Sequence, residues 1–338
     1  LRDHFKEFSV IDRRTFLSSS ALVLMGAALP QSLMAAPGNG RLVWGINPGA
    51  QRSSVGNNLA VGALDILANQ FSLRYQLDIV AARDTQQASE TVKLAPPDGA
   101  TLLQVQSGSM VLFPAMYKNL KYDPLADFTP LASLGDFAYA LSVGPAVPAT
   151  VKNISDYLAW VKLNPDYRDV GFSVYGSHNH LIALMLARGK EVALRAQSYR
   201  SPEAILDDLK NNALAAAITS AGTAPLLAKA GARLLAVSSS ARLPGLPNVA
   251  TFKEQGLSDI VIDGWYGWFA PAHTPPATGQ ALIEKINAMA ATAQFVELQK
   301  KLLITPKPMT PAQITERIKI EIGQNRKLVD SYNLTQIT

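Results

Sequence analysis

Short apolar runs alternate with amphipathic stretches along most of this chain. Leu42-Val43-Trp44-Gly45-Ile46 is a buried-strand pattern, ended by Asn47-Pro48-Gly49. Ser53 or Ser54 then caps a predicted helix carrying Leu59, Val61, Leu64 and Leu67. Leu77-Asp78-Ile79-Val80 is a second strand, and Thr101 to Val105 a third, introduced by the turn Pro97-Asp98-Gly99. Strand–loop–helix alternation of this kind predicts an α/β layered fold with a mainly parallel sheet.

The middle continues with new material. Ala138–Val143 and Val170–Val174 read as strands, and Ser155–Lys162 as a capped helix. The second of those strands runs into Tyr175-Gly176-Ser177 and a helix through Leu181 to Ala187. Ser201-Pro202-Glu203 has a hydroxyl cap, a first-turn proline and an early acid, the chemistry of a helix start. Ala215–Thr219 and Leu234–Ser238 are further strands. Thr310-Pro311-Ala312-Gln313 has capping-box spacing, and Ile314, Ile318 and Ile322 then share one helix face.

A length of 338 residues suits about two domains. No heptad array or low-complexity linker separates them, so they are expected to interleave. With 31 Lys+Arg against 26 Asp+Glu the net charge is +5, spread without basic runs, so nucleic-acid binding has no electrostatic footprint. The chain has no cysteine, which excludes disulfides, thiolate metal sites and cysteine nucleophiles.

The first segment bears on destination. Arg13-Arg14-Thr15-Phe16-Leu17 precedes a modestly apolar stretch to Leu29 and small residues at Ala35-Ala36. That is the three-part order of an export signal, too short and polar to span a bilayer of about 30 Å. The paired arginines resemble a twin-arginine signal; a general secretory signal is the alternative. Cleavage near Ala36 would leave 27 basic and 23 acidic residues, a net +4, in the periplasm.

From about Arg41 to Tyr332 the chain resembles the tripartite tricarboxylate transporter receptor, or Bug, family. Five stretches carry the resemblance, in order: Pro97-Asp98-Gly99-Ala100-Thr101-Leu102-Leu103; Tyr122-Asp123-Pro124 with Asp127-Phe128 and Pro130; Gly176-Ser177-His178-Asn179-His180-Leu181; Arg242 with Leu246-Pro247-Asn248-Val249; and Trp265 to Pro275. The resemblance implies a two-lobed α/β periplasmic binding protein of type II kind, with two crossing strands and an interlobe cleft. The crossings would be Asp136–Leu141 and Ile260–Trp265, with domain one at 37–138 plus 264–338 and domain two at 139–263. It further implies no catalysis and no cofactor. The partners would be a small organic acid and membrane transporter subunits, and the receptor a monomer.

Ligands of open α/β sheets gather at the carboxyl ends of strands. Two strand-to-helix loops fit. Asn47, Gly49, Ala50, Gln51, Arg52 and Ser53 belong to the first, and Ser173, Gly176, Ser177 and His178 to the second. Facing helix N-termini would hold a dicarboxylate without a lysine cluster. The family's usual second glycine and later Asp are absent, Gly49 being followed by Ala50-Gln51 with no Asp before Asp65, and of its glycine-rich stretch after the second strand only Arg83 remains. Gln51 adds an amide, and Arg52 either pairs with a carboxylate or faces solvent.

Ser107, Ser109 and Thr219 follow strands and could donate to a ligand; Tyr199-Arg200 is the second lobe's candidate. His178 is expected to face the cleft and His180 to pack. No cysteine or nearby acid completes a metal set with them. Gly171-Phe172-Ser173-Val174-Tyr175 lacks the second glycine of a nucleophile elbow, which speaks against a hydrolase. Trp265, Tyr266, Trp268 and Phe269 are expected to pack core or hinge. A receptor feeding a transporter leads; a transporter-independent sensor or presenter is the alternative.

Overall fold

The computed structural model describes residues 40–46, 50, 54–81, 86–189 and 192–337. The export-like segment, with Arg13, Arg14 and Ala36, lies outside the described residues. The chain runs β1 (Gly40–Ile46), α1 (Val55–Phe71), β2 (Tyr75–Ala81), α2 (Gln86–Lys93), β3 (Thr101–Gln106), the single turns α3 (Gly108–Val111) and α4 (Phe113–Met116), and β4 (Phe128–Val143). It continues through α5 (Ile154–Leu163), β5 (Asp169–Ser173), α6 (His178–Gly189), β6 (Arg195–Tyr199), α7 (Pro202–Lys210), β7 (Ala216–Ser220), α8 (Ala224–Lys229) and β8 (Arg233–Val237). Last come β9 (Asp263–Pro271), α9 (Pro276–Ala290), α10 (Ala293–Lys301), β10 (Ile304–Thr305) and α11 (Pro311–Ser331).

The strand order is β2-β1-β3-β9-β4-β7-β5-β6, with β8 and β10 also pairing β4. The sheet is mixed, which corrects the expectation of a mainly parallel one. β1 pairs in parallel with β2 and β3, and β5 with β6 and β7. Every pairing of β4 and β9 is antiparallel. The cause is β4, 16 residues long, which reads in sequence only as its last six. Its first part pairs β9 and its last part β7 and β8, so one strand serves both halves. Bulges at Pro130/Ala132 and Ser133/Gly135 break the alternation that would have exposed its full length. Gly135 sits at φ 116, where a Cβ would run into Ile304 Cγ2 and the Thr305 carbonyl.

The helix starts follow their cap chemistry. Ser54 accepts from Asn57 N–H, Ser201 from Ala204 N–H, and Thr310 and Gln313 complete the capping box. Asn153, one position before the α5 start, caps that helix through Asp156 N–H. Leu59, Leu64 and Leu67 face the core, but Val61 is 51% exposed, because two residues from Leu59 is the far side of a helix. Ile314 and Ile318 are buried and Ile322 partly so.

Polar side chains fix the joins. Gln104 is fully buried, donating to the Gly56 carbonyl at 2.8 Å and accepting from Trp268 Nε1 at 3.1 Å, so β3, α1 and β9 share one amide. At the β4–β9 crossing, Arg317 of α11 reaches Asp136 and Glu321, each at 2.6 Å, with Lys307 on Asp136 at 3.2 Å. Trp265 Nε1 donates to Glu321 at 2.9 Å beneath the Arg317 guanidinium. Such a half-buried, multiply bonded network pins α11 to the crossing more firmly than an isolated surface pair would. Among the described residues no helix is long and apolar enough to cross a membrane.

Candidate functional site

A cleft of about 150 Å³ lies where the carboxyl ends of the two parallel sets approach β4 and β9. That is room for on the order of ten waters or one small organic molecule. One wall comes from Trp44 and Ile46 at the end of β1, Ala50, and Ser54 and Val55 opening α1. The other comes from Ser173, Val174, Ser177 and His178 between β5 and α6, and from Thr219, Ser220 and Thr223 after β7. Gln106, Gly108, Tyr139 and Tyr266 form the base.

The base is a chain of rings. Trp44 meets Tyr266 edge-on at 6.3 Å, Tyr266 stacks on Phe137 at 4.8 Å, Phe137 meets Tyr139 at 5.3 Å, and Tyr139 lies 5.9 Å from the His178 ring. Of the expected core aromatics, Trp265, Trp268 and Phe269 pack as anticipated, while Tyr266 also lines the cleft. Gly56 has no Cβ because one would strike the rings of Trp44 and Tyr266.

None of the described lining residues is Asp, Glu, Lys or Arg. The histidine among them is neutral at pH 7: burial pushes His178 down to about 4, against a smaller upward pull from Asn325. Its ring is bonded on both sides, Nδ1 lying 3.4 Å from the Tyr139 hydroxyl and Nε2 3.1 Å from Asn325 Oδ1. His180 stacks on Phe172 at 4.7 Å and accepts from Gly176 N–H, and burial lowers it to about 4 as well. Among the described residues no group of three His, Cys, Asp or Glu side chains is placed to hold a metal.

The electrostatic character therefore comes from backbone and hydroxyls. Helices α1, α6 and α7 all begin at the cleft, with Ser54, His178 and Pro202 in its walls. Each start carries unpaired N–H groups and roughly half a positive charge. Thr219 and Thr223 hydroxyls pair at 2.8 Å, and Thr223 donates to the Ser220 carbonyl. Two buried polar atoms on lining residues, Trp44 Nε1 and Ser220 Oγ, have no hydrogen-bond partner. Val174 holds φ 69, unusual for a β-branched residue, and turns the chain from β5 into the wall.

Of the residues singled out in sequence, Ala50, Ser109, Ser173, Ser177, His178 and Thr219 come together here. Asn47, Gly49, Gln51, Arg52 and Ser53 lie outside the described residues, as does Arg83. Three others stand behind the walls. Ser107 is fully buried and exchanges hydrogen bonds with the Trp265 backbone, its Oγ accepting at 3.2 Å. Gly176, at φ 76, faces Ile337 and Met116. Tyr199 donates to Asp208 at 2.9 Å and packs over Gly171. Trp44, Tyr139, Gln106 and Ser220 also line the cleft but carry no sequence signal for it, since each sits inside or at the end of a strand run.

A protein-family profile described as the tripartite tricarboxylate transporter family receptor matches residues 80–334. A UPF0065 protein of Pseudomonas sp. strain P51 is 30% identical over 249 residues, 73% of either chain. Protein BugT of Bordetella pertussis strain Tohama I is 25% identical over 233 residues, 69% of this chain and 71% of its own. Among solved structures, R. palustris Rpa4515 with adipate superposes with a TM-score of 0.81 at 22% identity, over 89% of this chain and 99% of that one. The periplasmic binding protein BugD gives 0.78 at 21% identity, over 88% and 99%. The structural likenesses establish the two-lobed binding-protein fold. The sequence matches establish kinship with solute receptors rather than enzymes: this chain belongs to the tripartite tricarboxylate transporter receptor family.

Proposed function

We propose that the protein is an exported periplasmic receptor that closes two lobes on a small organic anion bearing carboxylate and delivers it, as a monomer, to membrane transporter subunits. The observation that carries this reading is the convergence of three helix N-termini on a cleft whose described walls hold no acidic side chain. Backbone N–H groups and hydroxyls suit a carboxylate, which only accepts hydrogen bonds. Trp44 Nε1 and Ser220 Oγ, one on each wall, supply two further donors. Rpa4515 was solved with adipate and MatC of Rhodopseudomonas palustris with malate, ligands of the same chemistry on the same fold.

On this reading the lobes are 37–138 plus 264–338 and 139–263, hinged at β4 and the start of β9, and the signal ends near Ala36. Ala50, Ser173, Ser177, His178 and Thr219 contact the ligand from the walls. The 47–53 loop adds Asn47, Gly49, Gln51, Arg52 and Ser53, while Ser107, Gly176 and Tyr199 hold the walls in place. A ligand touching both lobes only when they are together drives closure by its differential affinity.

A thermal-shift screen of mono-, di- and tricarboxylates tests the reading. Ligand at about 100 Kd adds about 2.7 kcal/mol. A shift only with neutral or cationic solutes would overturn it. Pull-down with permease components tests delivery, and a carboxylate-loaded receptor that retains none of them would point to a sensor.

A further inference from the structure

The hydrogen bonds around His178 fix the direction of a proton at the base of the cleft. Asn325, on α11, donates its amide nitrogen to the Glu321 carbonyl at 2.8 Å. A carbonyl oxygen only accepts, so the nitrogen belongs on that side and the amide oxygen faces His178 Nε2 at 3.1 Å. That oxygen only accepts as well, so Nε2 carries the imidazole proton. In the neutral ring Nδ1 is then a bare lone pair, and the Tyr139 hydroxyl, 3.4 Å away, is its donor. With its proton committed to His178, Tyr139 keeps only acceptor capacity for anything in the cleft.

We propose that Asn325 and His178 are positioning residues that make Tyr139 an acceptor-only contact, so that the cleft selects hydroxylated carboxylic acids over their deoxy analogues. This rests on the receptor reading above and deepens it. A carboxylate placed against Tyr139 would set acceptor against acceptor. An ammonium would meet no Asp or Glu in the described wall; Glu203, next to the lining Pro202, is not part of it. A hydroxyl is the neutral donor that fits. Leaving a buried acceptor unpaired would weaken a deoxy ligand about tenfold to hundredfold.

The experiment is calorimetry of the ligand-stripped protein with matched pairs differing by one hydroxyl: lactate and propionate, malate and succinate, citrate and tricarballylate, with aspartate as the ammonium arm. In whichever pair binds, the hydroxy acid is expected tighter by about tenfold or more. Tyr139→Phe is expected to bring that ratio within about threefold. Nitrogen-15 spectra should show protonated Nε2 and bare Nδ1 on His178 at pH 7. Equal or tighter deoxy binding, an unchanged ratio in Tyr139→Phe, the opposite tautomer, or aspartate binding tightest would each overturn the proposal. If only deoxy acids bind, the receptor reading stands and this one falls. If no carboxylate binds, both fall. Should Tyr139→Phe not fold, the wild-type ratio and the His178 spectrum still decide.

Discussion

His178 Nε2 stands 3.1 Å from Asn325 Oδ1, which ties the first turn of α6 to α11 beneath the cleft. The partner is a neutral amide, so burial dominates and the imidazole stays uncharged. Asn325→Asp places a carboxylate at the same distance and favours the imidazolium. His178 is then expected to titrate at least one pH unit above its present value near 4, followed by imidazole NMR. An unchanged titration would show that the contact does not govern the ring.

Acid stability follows from opposing groups. His178 and His180 titrate near 4 in the fold because burial disfavours their charge, against 6.5 when unfolded. Between those values the unfolded chain binds more protons, so both histidines lower stability as pH falls from about 6.5 to 4. Asp263 acts the other way: burial, then the nearby Asp136 charge, raises it from 3.8 to about 6. The folded state takes up that proton first, so this group gains stability as pH falls through 6 toward 3.8. Asp263→Asn is expected to raise Tm at pH 7, by on the order of 1–3 kcal/mol of stability, with the gain gone near pH 4. A variant less stable than wild type at pH 7 would contradict the assignment.

Gly222 packs against the Leu302 carbonyl and Val55. A Cβ there would overlap the Leu302 carbonyl oxygen and lie 2.8 Å from Val55 Cγ2. Leu303, held at φ 52, packs in the same seam against the Leu243–Val249 segment. Gly222→Ala overpacks the seam, at about 1–3 kcal/mol. On the two-lobe reading proposed above that penalty falls on the closed arrangement, so ligand affinity is expected to drop about tenfold while the ligand-free Tm changes little. Preserved affinity with a lowered ligand-free Tm would mean that the seam does not open.

In sequence Arg52 falls between the lining residues Ala50 and Ser54. If it pairs with a carboxylate, Arg52→Gln weakens binding by about tenfold or more at low salt, and added salt weakens the wild type in the same direction. Unchanged titration curves would assign Arg52 to solvent.

Cap chemistry made the helix starts legible in sequence: Ser54, Ser201 and Thr310 cap as their spacing required. Hydroxyls and loop residues at strand ends, such as Ser173, Ser177 and Thr219, were legible as wall residues for a similar reason. Tyr139 and Trp44 were not. Their ring burial gives them the pattern of core residues, and only the crossing of β4 behind β1 and α6 brings a polar tip or an edge to the cleft. The length of β4 was hidden too, since its bulges and Gly135 interrupt the strand pattern in local sequence. Ser107 and Tyr199 show the converse: polar residues at strand ends whose hydrogen bonds are spent inside the fold.

Isothermal titration of the ligand-stripped mature chain with mono-, di- and tricarboxylates tests most directly whether the cleft binds small carboxylates. Saturable one-to-one binding of at least one acid is expected, lost when its carboxyl groups are converted to amides. Undiminished binding of the amide, or binding confined to neutral or cationic solutes, would contradict it.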